Sequence, residues 1–167
     1  MKTLYVLRHA KTERDSGTGR DFDRALTERG WSDAELVGRE MTKRGLEIDA
    51  VLASPAKRAA QTVEAFARGY GDIVAEWEPG IYNAMVDRLI EIVQATDDEA
   101  ERLLIVGHNP GFEGLVWSLA GEGAGKVREG MPTAAMAAIE LPVDNWGEVF
   151  EGTGCVTQFI VASELRS

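Results

Sequence analysis

Cysteine occurs once in this chain, at Cys155, and histidine twice, at His9 and His108. One cysteine excludes an internal disulfide, and two histidines exclude a histidine-rich metal site. The lack of disulfides fits a reducing compartment, so a cytoplasmic location is expected. Apolar runs are short. The run over residues 3–7 stops at Arg8, too soon for the core of a signal peptide, and no stretch reaches the length of a membrane span. Basic residues are scarce relative to acidic ones, 18 Lys and Arg against 28 Asp and Glu, for a net charge of −10. Nucleic acids and anionic membranes both call for an electropositive footprint, and neither is an expected partner. Internal repeats and linkers are missing as well.

What is present is enough for one compact domain. The 167 residues are 44% hydrophobic and 28% charged, which excludes global disorder and predicts a single domain over 1–167. Short apolar runs alternate with helical periodicity. Strands are expected over 3–7, 51–53, 73–77, 103–106, 134–141 and 156–161. Trp31, Ala34, Val37 and Met41 mark a helix capped by Thr27, with Leu26 and Trp31 as a hydrophobic staple, and Gly45 ends it. Ser54-Pro55 and Asn109-Pro110 both read as a cap followed by proline at the first helical position. The helix after the first has Ala59, Val63, Phe66 and Tyr70 inward; the helix after the second has Phe112, Leu115, Val116 and Leu119. Between them, residues 86–95 form a helix with Leu89, Ile90 and Val93 inward. Strand alternating with helix predicts an α/β three-layer sandwich: a mostly parallel central sheet flanked by helices.

In such a sheet the carboxyl ends of parallel strands share one edge, where ligands bind. Arg8 and His9 follow the first strand, Arg58 lies in the first helical turn after the second, and His108 follows the fourth. Two arginines and both histidines therefore fall on one edge, with two helix N-termini. Arginine forks and helix N-termini favour anions, phosphate above all. A neutral imidazole among them can attack phosphorus while the cations offset charge on the transferring group. His9, His108 and Arg58 taken singly have ordinary structural explanations; a charge at Arg8 straight after an apolar strand needs a partner, and all four at matching positions favour a site.

Other motifs carry less. The segment 121–127, GEGAGKV, follows a helix, has the wrong glycine spacing for a phosphate loop, and places Val127 where a magnesium-binding hydroxyl is needed. The four tryptophans read as core and staple residues. Cys155 has no histidine beside it in sequence, and no serine sits in a nucleophile elbow. The loop over 11–23 is long for a connection without structure of its own, which points to function.

These residues resemble the histidine phosphatase superfamily, which includes cofactor-independent phosphoglycerate mutases. Leu7-Arg8-His9-Ala10 resembles its Arg-His-Gly signature, and Ser54-Pro55 with Arg58, Gln61 and Thr62 its Ser-Pro-x-x-Arg-x-x-Gln-Thr segment. Val106-Gly107-His108 resembles the second-histidine segment, and Arg24-Ala25-Leu26-Thr27 with Gly30 also matches. The short length and Met131-Pro132-Thr133-Ala134-Ala135 make the chain most similar to SixA-type phosphohistidine phosphatases. The resemblance implies a phosphoglycerate mutase-like fold, His9 as the nucleophile that becomes phosphorylated, and Arg8, Arg58 and His108 as ligands of the phosphoryl oxygens. It implies no metal and no cofactor. Thr12, Asp15 and Arg24 are accessory candidates.

The chain departs from the pattern at three places. Ala10 replaces the signature glycine, and Asp15 stands where mutase-like members often carry asparagine. Mutase-like members place a glutamate general acid after the third strand, where this chain has Ile81-Tyr82-Asn83-Ala84. Asparagine at 83 cannot deliver a proton. An alkoxide leaving group needs one, whereas an imidazole, with a conjugate acid near 6.5, needs far less help. The expected substrate is therefore a histidine-phosphorylated protein, although Asp15, Asp23 and Glu78 remain possible substitutes for the acid. A small-molecule phosphomonoesterase of the same superfamily and a non-catalytic phosphate-binding regulatory module stay open beside it.

Overall fold

A computed structural model describes residues 1–166. Six strands form one sheet in the order β3-β2-β4-β1-β5-β6. These are β1 (Lys2–Arg8), β2 (Ala50–Ala53), β3 (Ala75–Trp77), β4 (Arg102–Gly107), β5 (Met136–Leu141) and β6 (Cys155–Ile160). The first four named in the sheet order are parallel; β5 runs antiparallel to β1, and β6 antiparallel to β5. Helices α1 (Glu28–Lys43), α2 (Lys57–Tyr70) and the terminal α5 (Ala162–Leu165) pack on one face. Helices α3 (Val86–Gln94) and α4 (Gly111–Ala120) pack on the other. This is the expected three-layer sandwich around a mostly parallel sheet.

Strands covered on both faces read as continuous apolar runs, and their alternation divides the core. Leu4 and Val6 of β1, with Leu103 and Ile105 of β4, pack under α3 and α4. Tyr5, Leu7, Leu104 and Val106 point the other way, toward α1 and α2. Phe66 and Phe112 are fully buried, one in each half; truncating such a side chain to alanine costs roughly 3–5 kcal/mol. No helix among the described residues is long and apolar enough to cross a membrane.

The expected helix starts differ in an informative way. Thr27 does cap α1, its hydroxyl accepting from Gly30 N at 3.0 Å, and Leu26 and Trp31 join one hydrophobic cluster. Ser54-Pro55, however, lies ahead of α2, which begins at Lys57 after Ala56. Pro110 occupies the N-cap position of α4 rather than the first helical one, and Asn109 Oδ1 accepts from Glu113 N at 3.1 Å. In α3 the buried set is Leu89, Ile92 and Val93, with Ile90 only half-buried. Trp146 is core, but Trp77 and Trp117 are exposed, so they are not the packing residues their size suggested. Segment Gly121–Glu129 is wound into 3₁₀ turns broken at Gly125.

Candidate active site

The carboxyl ends of β1, β2 and β4 meet because β4 lies between the other two. Backbone pairing continues beyond the strands: His9 N donates to Gly107 O at 2.9 Å and Ser54 N to Val106 O at 3.0 Å. Three residues that follow three different strands are thereby fixed side by side. The His9 and His108 rings stand 5.4 Å apart between centroids, tilted by 53°, and are only 7% and 9% exposed. Two glycines allow this crowding. A Cβ at Gly107 would lie 2.6 Å from the Phe112 ring, and one at Gly30 would lie 2.2 Å from Lys11 O, where α1 presses on the segment after His9.

Hydrogen bonds set the protonation pattern of both rings. His9 Nδ1 lies 2.8 Å from Ala10 O, and a carbonyl can only accept. Nδ1 therefore carries the hydrogen, and Nε2 carries the free lone pair. His108 Nε2 lies 2.7 Å from Ser54 Oγ, which also accepts from Ala56 N at 3.2 Å. The hydrogen of this buried hydroxyl has one acceptor within reach among the described residues, His108 Nε2, and is donated to it. That leaves the hydrogen of His108 on Nδ1, a buried atom with no protein partner. Burial, with Arg58 and Arg8 nearby, lowers His9 to about 4. Burial, Arg58 and His9 lower His108 to about 3. Both imidazoles are neutral at pH 7.

The arginines are anchored at one side and free at the other. Arg8 Nη1 donates to Met131 O at 2.9 Å. Arg58, 5% exposed, donates from Nη1 to Asp21 O at 2.9 Å and from Nη2 to Asp21 Oδ2 at 3.0 Å. The Nε atoms of both arginines are buried and have no partner among the described residues. Buried polar groups are nearly always paired. Three unpaired N–H donors around a neutral imidazole with a free lone pair suit a tetrahedral oxyanion. Beside Arg8 a recess of about 570 Å³ opens, lined in part by Asn109, Glu113, Met131, Pro132 and Phe159.

Of the sequence candidates, the structure brings Arg8, His9, Arg58 and His108 to one edge. Arg24 and Thr12 meet in the layer outside them: Arg24 Nη1 donates to Thr12 Oγ1 at 3.0 Å, and its Nε to Asp21 Oδ1 at 3.0 Å. Asp15 is exposed and contributes to none of these bonds. Asn83 is also exposed, in a left-handed turn with φ 59°. The residue of its segment that faces the site is Tyr82, whose ring stands edge-on to His108 at 5.6 Å and whose hydroxyl donates to Asp21 Oδ2 at 2.7 Å. That bond, with Arg58 and Arg24, lowers the Asp21 carboxyl to about 2.

Sequence reasoning missed Ser54 as a site residue because it read Ser-Pro as a helix cap. Its place directly after a strand, on the same edge as the histidines, was the available signal. Thr62 entered only through the resemblance; its hydroxyl accepts from Ala10 N at 3.0 Å and donates to Arg58 O at 2.7 Å, tying the segment after His9 to α2. Asp21 and Tyr82 carried no such signal.

The family model for the histidine phosphatase superfamily (branch 1) matches residues 4–81. An uncharacterized protein of Mycobacterium tuberculosis is 32% identical over 161 residues, covering 93% of this chain and 99% of its own. A solved structure of SixA from Agrobacterium tumefaciens superposes with a TM-score of 0.82 at 28% identity, covering 96% of this chain and 97% of that one. The protein histidine phosphatase SixA complexed with tungstate has the same fold, with a TM-score of 0.82, 24% identity and coverage of 98% and 99%.

Proposed function

This chain belongs to the histidine phosphatase superfamily, on its SixA-like side, and we propose that it hydrolyses phosphohistidine on protein substrates through a phosphorylated His9. The reading is carried by one observation. A buried, neutral His9 with its lone pair on Nε2 sits among three unpaired donors, Arg8 Nε, Arg58 Nε and His108 Nδ1. These groups donate to three phosphoryl oxygens while His9 Nε2 attacks phosphorus in line. With the other ring nitrogen of the substrate phosphohistidine protonated, the P–N bond breaks, its electron pair stays on the departing nitrogen, a neutral imidazole leaves, and the phosphoryl group passes to His9. Water then attacks phosphorus, the bond to His9 Nε2 breaks, and inorganic phosphate departs. Fixed donors aimed at the developing charge supply the largest share of such catalysis.

The leaving group is inferred from the missing acid. Asn83 faces solvent, and Asp21, the carboxylate that does reach the arginines, is ionised far below neutrality. An imidazole departs without a strong acid; a serine alkoxide does not. The presence of a carboxylate from the 11–23 loop at the site supports the phosphomonoesterase reading as second, but its ionisation removes the proton that reading needs. The test is a set of kcat/KM values on a phosphohistidine peptide, nitrophenyl phosphate and a phosphoserine peptide. Activity should fall in that order, and a flat profile would put the phosphomonoesterase first.

A further inference from the structure

Arg58 offers its N–H groups in two usable pairs. The end of the guanidinium presents one hydrogen from each Nη, and the side presents Nε–H parallel to the second hydrogen of Nη2. Asp21 takes the end: its carbonyl accepts from Nη1 at 2.9 Å and its Oδ2 from Nη2 at 3.0 Å. Only the side pair remains, and its Nε is buried without a partner. The Asp21 carboxylate is held in turn. Tyr82 Oη donates to Oδ2 at 2.7 Å and Arg24 Nε to Oδ1 at 3.0 Å, while Arg24 Nη1 is tied to Thr12 Oγ1 and Glu13 O. The Tyr82 ring also lies 5.8 Å from Arg58 Cζ and edge-on to His108, so the brace touches both sides of the site.

We propose that Asp21 is a positioning residue for phosphoryl recognition, taking both Nη groups of Arg58 so that the side pair of the fork faces the two histidines. This rests on the reading of His9, Arg58 and His108 as a phosphoryl seat. An arginine side chain has several rotatable bonds, and a free guanidinium would present either pair. A carboxylate at its outer end restricts it to one orientation, which lessens the entropy lost when a substrate binds. The opposite role, a carboxylate that competes with the phosphoryl group, would require Asp21 to occupy the Nε side. It does not.

The two roles predict opposite signs. Tungstate, a tetrahedral oxyanion, can be titrated calorimetrically into the wild type, Asp21→Asn, Asp21→Glu, Arg58→Ala and the Asp21→Asn/Arg58→Ala double variant. Asparagine has one acceptor oxygen where three donors converge, so Asp21→Asn should weaken tungstate binding about tenfold, the low end for a charge-assisted hydrogen bond at a half-exposed group. Asp21→Glu should recover most of that loss. In the Arg58→Ala background the Asp21→Asn change should cause no further loss, since Asp21 then has nothing to orient. Tighter or unchanged binding in Asp21→Asn overturns the proposal, and so does an equal loss in both backgrounds. Should Asp21→Asn fail to fold, Tyr82→Phe, which removes one donor to Asp21 Oδ2 at the rim, must still weaken tungstate for the proposal to stand. A wild-type protein that ignores tungstate removes the seat itself, and the proposed function with it.

Discussion

The buried Ser54 hydroxyl accepts from the amide of Ala56 and has one acceptor within reach among the described residues, Nε2 of His108 at 2.7 Å, so its one hydrogen is directed to the ring. A serine two residues ahead of a helix thus decides which nitrogen of a histidine on another strand can donate.

Ser54→Ala should therefore lose the tautomer before it loses the fold. With the hydroxyl gone, ¹⁵N spectra should show His108 shifting away from pure Nδ1–H, and kcat should drop by about an order of magnitude, as when a preorganised donor is disturbed rather than deleted. Unchanged nitrogen shifts would mean that the ring, not the serine, sets its own proton.

His9→Ala should abolish turnover while leaving thermal unfolding close to wild type, because the ring is a site group rather than a large part of either core half. Rapid acid-free quenching of the wild type during turnover should trap acid-labile phosphate on the protein. Substantial activity in the alanine variant, or no trapped label, would exclude His9 as nucleophile.

Arg58→Lys keeps the charge and loses the fork. Lysine cannot make the planar two-pronged contact, so kcat should fall by ~10²–10³. The ratio of kcat values against wild type measures it, and near-full activity would reduce Arg58 to an ordinary helix residue.

Both imidazoles should titrate well below the usual 6.5, near pH 4 for His9 and near pH 3 for His108. With two histidines in the chain, a ¹³C–¹H titration of the ring carbons has two signals to follow. The sign for stability follows from linkage. Between about pH 6.5 and pH 4 the unfolded state binds the proton and the folded state does not, so acid favours unfolding. The His9 contribution, roughly 3 kcal/mol, is present above pH 6.5 and lost as the pH falls toward 4. Denaturant midpoints of wild type and His9→Gln, close at neutral pH, should separate over that window, with the wild type falling faster. Parallel curves would argue against a depressed His9.

That Arg8, His9, Arg58 and His108 share one edge was legible because each lies at or after the end of an apolar strand, and a parallel sheet brings such positions together. Ser54 was hidden by ambiguity: Ser-Pro after a strand signals a helix start as readily as a side chain turned onto a neighbour. Asp21 sits in a loop without periodicity, and nothing local says that it folds back 37 residues short of Arg58. Tyr82 and Asn83 are adjacent, and a left-handed turn at Asn83 decides which of them faces the site. Trp77 and Trp117 misled for the reason that size predicts burial only on average.

The interposition of β4 between β1 and β2 also orders events on the ribosome. A nascent chain can emerge with His9 and Arg58 already made, yet the strands that precede them are not sheet neighbours and have no ladder to share. Only when residues 102–107 leave the exit tunnel can the middle of the sheet close, and His108 arrives with it. Until then the emerging half holds a histidine and an arginine without a fixed distance between them. On the proposed reading, any N-terminal product that ends before His108 lacks one of the four site residues, and passage through the tunnel delays closure of the site beyond the synthesis of that residue.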